Sequence, residues 1–330
     1  MYRQSLDRGV GIVSGTKVVD HLNQTAEAEK NKVRIGIGLF GLQQWFGGDF
    51  SGVLEVARLA DAKGVDVVSL TDHVVMEEHL VNYPYGKFPV GLDFPWYDPI
   101  TVLSAIAGVT KRIRLSAGVL ISPLRPAIVL AKQLATLDVM SRGRVEIGIG
   151  VGWQKAEYDA AGIPFKGRYQ RMEEQIEVCR LLWGTAPANY HGASVSFEHI
   201  HAWPRPVQQR VPFWFGLAPS EHNFARIAKY GDGWVPMEQN PDKLAGHIKN
   251  LRAAFSAAGR DPSQAGVRSV PRAVSGADRK PNLDATLASI AAYEKAGVNV
   301  IEMGPMAWCS GPKDLDRFLD AIVAVKGGAS

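Results

Sequence analysis

Cysteine is scarce in this chain, with only Cys179 and Cys309 among 330 residues and no CxxC or other metal-ligand spacing. That argues against a disulfide-stapled scaffold and a zinc-binding module, and a reducing, cytoplasmic setting is the expectation. No apolar stretch approaches the roughly twenty residues of a membrane-spanning helix. No run of Lys and Arg interleaves with aromatic residues, so neither nucleic acid nor a membrane is an expected partner. Charge of one sign is also lacking: 37 basic residues face 33 acidic ones, for a net charge of +4. So small an excess fits an anionic ligand such as a phosphorylated cofactor, and equally a random scatter of surface charge. The first 31 residues lack the apolar core of a secretory leader, residues 10–13 being interrupted by Gly11. They read as a polar extension and a candidate for disorder, ahead of one folded unit over residues 32–330.

What is present is a regular alternation. Hydrophobic residues make up 46% and charged residues 21% of the chain, an ordinary globular balance. Short β-rich runs are read at 33–39, 65–70, 113–119, 145–149, 211–215, 233–236, 266–274 and 298–303. Helical periodicity is read at 51–63, 98–110, 126–140, 153–161, 168–183, 220–230, 241–258, 283–296 and 311–325. Gly64 and Gly297 close two of these helices, and Cys179 falls on a core face. Strand-helix alternation implies parallel strands with right-handed crossovers. A count of eight favours an α/β fold of the closed (β/α)₈ type, the TIM barrel, with insertion loops after strand 2 (74–98) and before strand 5 (185–210). The second of these has some β character. In such a barrel the ligand sits at the C-terminal ends of the strands.

Four strand ends therefore come first. Thr71-Asp72-His73 after strand 2 places a carboxylate and an imidazole at the mouth, where His is suited to proton exchange. The alternative is a turn-capping Asp beside a rim-filling His. Ser116-Ala117-Gly118-Val119 ends strand 3, where glycine permits close approach of a flat ligand or serves as a plain turn. The run Gly148-Ile149-Gly150-Val151-Gly152-Trp153 lacks the GxGxxG spacing of a dinucleotide loop and stands in the wrong βα unit. It offers either a ligand-facing helix start or small-residue packing inside the barrel. From Gly216 through Ser220, His222 and Asn223, small residues lead into a helix that Ser220 caps, either a phosphate cradle or simply a capped helix. Trp45, Trp153, Trp96 and Trp234 lie near predicted rims. Trp45 and Trp153 are the candidates for a substrate wall. A metal site is not expected: His79, His191 and His247 lack ligand spacing, and His199 with His201 offers only a weak pair.

Several of these runs, in order and spacing, resemble the luciferase-like monooxygenase superfamily, and within it the coenzyme F420-dependent oxidoreductases. The resemblance is carried by Ser69-Leu70-Thr71-Asp72-His73, by Gly118 through Pro126, by Leu134 through Val145 and by Gly148 through Trp153. Pro204-Arg205-Pro206-Val207-Gln208 and Gly231-Asp232-Gly233-Trp234 extend it, so that it covers about 33–325. The resemblance implies a (β/α)₈ barrel with a deazaflavin ring at the strand ends. Asp72 would contact the ring and His73 would lie beside its reactive edge. A non-proline cis peptide at Gly118-Val119 would back the ring, and Ile121, Val151 and Gly152 would line it. Gly216, Ser220, His222 and Asn223 would hold its phosphate. Two departures stand out. Trp153 replaces the acidic residue of the sugar-phosphate dehydrogenases, and Leu217 replaces a second glycine. The implied activity is hydride transfer between the C5 atom of F420 and a small organic substrate. The alternatives are an FMN-dependent monooxygenase using reduced flavin and O₂, served by a flavin reductase, and a non-catalytic flavin-binding protein. Relatives of this kind are often homodimers.

Overall fold

The computed structural model describes residues 33–327 apart from His79, Val81 and Asn82. The expected N-terminal extension over residues 1–31 lies outside the described residues. Nine parallel strands form one sheet: β1 (Arg34–Gly38), β2 (Val67–Leu70), β3 (Arg114–Ala117), β4 (Leu120–Ile121), β5 (Ile147–Gly150), β8 (Phe213–Phe215), β9 (Gly233–Trp234), β10 (Gly266–Ser269) and β11 (Val300–Met303). Their order in the sheet is β3-β2-β1-β11-β10-β9-β8-β5-β4. β3 and β4 are two halves of one stave, so nine strands make eight staves. The ring closes where Leu115 bridges Val145, the Leu115 amide donating to the Arg144 carbonyl at 2.9 Å. Helices pack outside: α1 (Phe50–Lys63), α2 (Pro99–Val109), α3 (Ala127–Ser141), α4 (Lys155–Ala160), α5 (Arg168–Gly184), α6 (Glu221–Tyr230), α7 (Pro241–Ala257), α8 (Leu283–Ala288), α9 (Ile290–Ala296) and α10 (Leu315–Ala324).

The eight strands and their helices stand within a few residues of where the periodicity puts them, with three larger differences. The third strand is interrupted at Gly118-Val119, and the seventh ends at Ser269 rather than running to 274. The helix read over 283–296 breaks at Ser289 into α8 and α9. In addition, the segment before strand 5 holds an antiparallel hairpin, β6 (Ala188–His191) and β7 (Ser196–Ile200). Helix ends follow local chemistry: the Asp98 carboxylate accepts from the Thr101 amide ahead of Pro99, and Gly64 and Gly297 take left-handed φ of 88° and 102°.

The period of two explains the unusual number of glycines in strands. In β1 (Arg-Ile-Gly-Ile-Gly) and β5 (Ile-Gly-Ile-Gly) the isoleucines join the main core with the helices. The intervening residues belong to the barrel interior, where Trp214 packs with Val67 and Val300. A Cβ on Gly233 or Gly266 would lie 2.2 or 2.5 Å from the Trp214 ring, so those glycines make room for it. Beside Trp214 stands a buried charge network. Glu146 accepts from Arg34 and Arg114 at 2.8 and 2.7 Å and lies 3.4 Å from Arg268. Arg268 lies 3.5 Å from Glu302, which accepts from Ser69 Oγ at 2.7 Å. Burial opposes ionisation of Glu146, but the fields of Arg34, Arg268 and Arg114 outweigh it and hold the carboxyl down at about 2.

Two of the runs that carried the resemblance lock onto each other. Asp138, wholly buried on α3, accepts from the amides of Val207 and Gln208 at 2.8 and 3.0 Å and from Gln208 Nε2 at 2.7 Å. Arg144 donates to the carbonyls of Ala107, Thr110, Ile113 and Ser141 and to Thr110 Oγ1. These residues satisfy backbone groups at the base of the barrel and are structural.

Candidate active site

The ends of β2, β4, β5 and β8 open onto one mouth, and the insertion after β2 folds back across it. Gln154 fastens that insertion by accepting from the Glu77 amide and donating to the Val75 carbonyl, each at 2.8 Å. His73 follows β2. Its Nδ1 lies 3.2 Å from Oε2 of Glu157, a fully buried carboxylate on α4 whose Oε1 accepts from the Val74 amide at 2.5 Å. A buried carboxylate on Nδ1 fixes the imidazole and leaves Nε2 for proton exchange. Aromatic rings wall the imidazole: Trp96 at 4.7 Å between centroids, Phe88 at 5.9 Å and Trp153 at 6.0 Å.

Asp72 has other partners. Its carboxylate takes both Nη atoms of Arg125, at 2.7 and 3.1 Å, and the Ile121 amide at 2.8 Å. Arg125 reaches on to Asp98 at 2.8 Å. Asp72 therefore ties the end of β2 to the chain just beyond the interrupted stave. Ile121 itself is buried against Leu124 and Tyr158, and its side chain belongs to that cluster.

The peptide between Gly118 and Val119 is cis, as the resemblance implied. A Cβ on Gly148 would meet the Ala117 carbonyl oxygen at 2.1 Å, and one on Gly150 or Gly216 would meet the Val119 side chain at 2.8 Å. Gly152, at φ +63°, leaves space for Ile121. The GxGxG run is thus room for the bulge, the packing alternative, and not a dinucleotide loop. At this end of the stave, exposure falls on the bulge. Ala117 and Leu120 are fully buried, whereas solvent reaches Gly118 and Val119, and also Gly152, Trp153 and Gly216 across the mouth. Val151 between them is 6% exposed. We expect Gly148→Ala to displace the bulge and to cost about 1–3 kcal/mol from overpacking. Thermal melts would check the cost, and an unchanged melt would contradict the crowding.

At the start of α6 the Ser220 hydroxyl accepts from the Asn223 amide at 3.2 Å, the cap expected from the sequence. The buried Asn223 side chain donates to the Ala218 carbonyl at 2.9 Å and accepts from Arg226 at 2.6 Å, and Arg226 also meets the His222 ring at 2.9 Å. The side chains of Asn223 and His222 are thus occupied in shaping the turn. Arg226 is in turn ion-paired with Glu173, so what the loop offers an anion is the amides of Glu221 and His222 at the start of a ten-residue helix. Leu217 turns its side chain into the core, and its carbonyl accepts from Trp234 Nε1 at 2.8 Å, so Trp234 is a core residue.

Trp45 stands on a short 3₁₀ turn after β1 and packs half-buried against the main core, while Trp153 stands in the aromatic wall around His73. His191, His199 and His201 are exposed or solvent-facing on the hairpin, and no group of three metal-capable side chains occurs among the described residues. His79 lies outside the described residues. Glu157 was missed by sequence reasoning. It is separated from His73 by 84 positions, and nothing local marks it beyond its place one turn after Trp153.

The chain belongs to the luciferase-like monooxygenase family, whose model matches residues 24–308. It is 37% identical over 209 residues to an uncharacterised protein of Mycobacterium tuberculosis, covering 62% of this chain and 74% of that one. It is 31% identical over 173 residues to a pyrimidine monooxygenase of Allorhizobium ampelinum, covering 50% of this chain and 46% of that one. Among solved structures it superposes on the F420-dependent tetrahydromethanopterin reductase of Methanopyrus kandleri with a TM-score of 0.68 at 19% identity. That match covers 88% of this chain and 97% of the other. It also superposes on a monooxygenase of Streptomyces bottropensis with a TM-score of 0.71 at 22% identity, covering 90% and 98%. The α/β barrel is therefore the fold of a known oxidoreductase and monooxygenase family.

Proposed function

We propose that this protein is an F420-dependent oxidoreductase acting on a small organic substrate. The observation that carries the reading is the His73–Glu157 pair, set among aromatic rings beside the exposed cis bulge. The mouth fits the cofactor in two respects. Gly118 and Val119 are partly exposed between the buried residues Ala117 and Leu120, where a flat ring would lie, and the α6 start fits a phosphate. When bound, the deazaflavin would supply or accept a hydride at C5. Gly118, Val119, Val151 and Gly152 would support the ring. Asp72 acts through Arg125 and the Ile121 amide, holding the bulge in place rather than touching the ring. His73 would hold or move the proton through Nε2, with Trp96, Phe88 and Trp153 excluding water.

A second reading is favoured by sequence relatives: an FMN-dependent monooxygenase supplied by a flavin reductase. Besides the pyrimidine monooxygenase, the chain is 27% identical over 166 residues to an FMNH₂-dependent dimethylsulfone monooxygenase of Pseudomonas putida, covering 49% of this chain and 46% of that one. Side-by-side fluorescence titration with F420 and FMN separates the two. We expect tighter F420 binding and no oxygen uptake with reduced FMN beyond its spontaneous oxidation in the absence of the protein. Preference for FMN together with oxygen uptake would replace the first reading by the second.

A further inference from the structure

Between the turn after β1 and the insertion after β2 lies a cavity of about 20 Å³. It adjoins the chamber around His73 and has room for one water-sized atom. Its walls are mostly apolar, including Leu39, Phe40, Leu70, Phe94 and Pro95. Four polar side chains also line it, Gln43, Thr71, Trp96 and Tyr97, and two of them carry a buried nitrogen without a hydrogen-bond partner: Gln43 Nε2 and Trp96 Nε1. Gln43 is only 5% exposed. Leaving such a donor unpaired costs about 1–3 kcal/mol, so two in one small cavity require an acceptor. An indole N–H can only donate. The lining residues include no carboxylate, lysine, arginine or histidine. Phe40 stacks on Phe94 at 4.6 Å and meets Trp96 at 5.6 Å, and the opposite neighbour of Trp96 in this row of rings is His73.

We propose that Gln43 and Trp96 form a two-donor subsite for the oxygen of an uncharged, largely apolar carbonyl compound. The inference rests on reading the mouth as the substrate chamber. The oxygen alone would enter the cavity and accept from both nitrogens, with the carbon skeleton outside it on the partly exposed faces of Phe40, Phe94 and Trp96, one indole away from His73. A hydrocarbon of the same shape leaves both donors unpaired, and an anion loses its hydration without gaining a counter-charge.

The test measures binding on the cofactor-free protein by ligand-observed NMR, with acetophenone and its isostere α-methylstyrene, in which CH₂ replaces the oxygen. Trp96→Phe keeps the aromatic wall and removes the N–H, and Gln43→Leu keeps the volume and removes the amide. We expect the acetophenone to α-methylstyrene affinity ratio to fall about 3–10-fold in each variant, the worth of one neutral hydrogen bond. Benzoate should bind more weakly than acetophenone. A ratio unchanged in both variants, or no acetophenone binding at millimolar concentration, overturns the proposal. Circular dichroism confirms that each variant is folded. F420 and FMN are titrated separately on the same proteins. Loss of both cofactors with a ratio that still responds would sink the cofactor reading and keep the subsite, and normal cofactor binding with an unresponsive ratio would do the reverse.

Discussion

His73→Ala should lower kcat by about 10²–10⁴-fold, the usual worth of a positioned proton-transfer group. The imidazole sits among Trp96, Phe88 and Trp153, and its Nδ1 is held by a carboxylate that is itself wholly buried. Such a carboxylate does little for a residue that merely fills a rim. It fixes the ring so that Nε2 faces one direction. Truncation opens a ring-sized hole, and added imidazole should restore part of the lost turnover while alanine at a packing position would not respond. Glu157→Gln gives an independent check. The amide keeps the shape and loses the charge, so kcat should fall about 10-fold with KM nearly unchanged, as expected of an interaction that matters mainly in the transition state. Unaltered turnover in His73→Ala would remove the imidazole from the chemistry. A change confined to KM in Glu157→Gln would make that carboxylate a binding feature only.

Glu146→Gln should cost on the order of 3 kcal/mol of stability at neutral pH, the free energy equivalent of a carboxyl drawn from 4.5 to about 2. The folded-state value is depressed, so this contribution is fully present above pH 4.5 and disappears as the pH falls from there toward 2. Urea unfolding of the native chain should therefore weaken across that window, and the Gln variant should be flatter there. Glu146→Ala should be worse, costing about 3–5 kcal/mol in total, because Arg268 is left buried with only Glu302 opposite it while Arg34 and Arg114 crowd the same space. A Gln variant as stable as the parent at pH 7, with the same acid profile, would show that the network contributes little. The consequence reaches toward the site, since Arg268 stands 3.5 Å from Glu302, Glu302 accepts from Ser69, and a Cβ on Gly118 would already stand 3.3 Å from the Ser69 hydroxyl.

The alternation of strands and helices, the caps at Ser220, Gly64 and Gly297, and the positions of the strand ends are written locally. Periodicity and capping act over a few residues, so one sequence suffices to read them, and the motif order sufficed to place the chain in its family. The interrupted third stave was legible only through the resemblance, because the space it needs comes from Gly148 and Gly150 on β5 and from Gly216 just beyond β8. The barrel interior was not legible at all. Glu146 and Arg268 are 122 positions apart, and Ser69 and Glu302 are separated by 233. Asp72 and His73 are adjacent and look alike as candidates in the sequence. Tertiary structure divides their roles, giving Asp72 to Arg125 and His73 to Glu157. The sequence by itself determined the barrel and the edge at which chemistry is possible. Which side chains meet there, and which donors are left without a partner, was decided only when closure of the barrel brought distant strand ends within hydrogen-bonding reach.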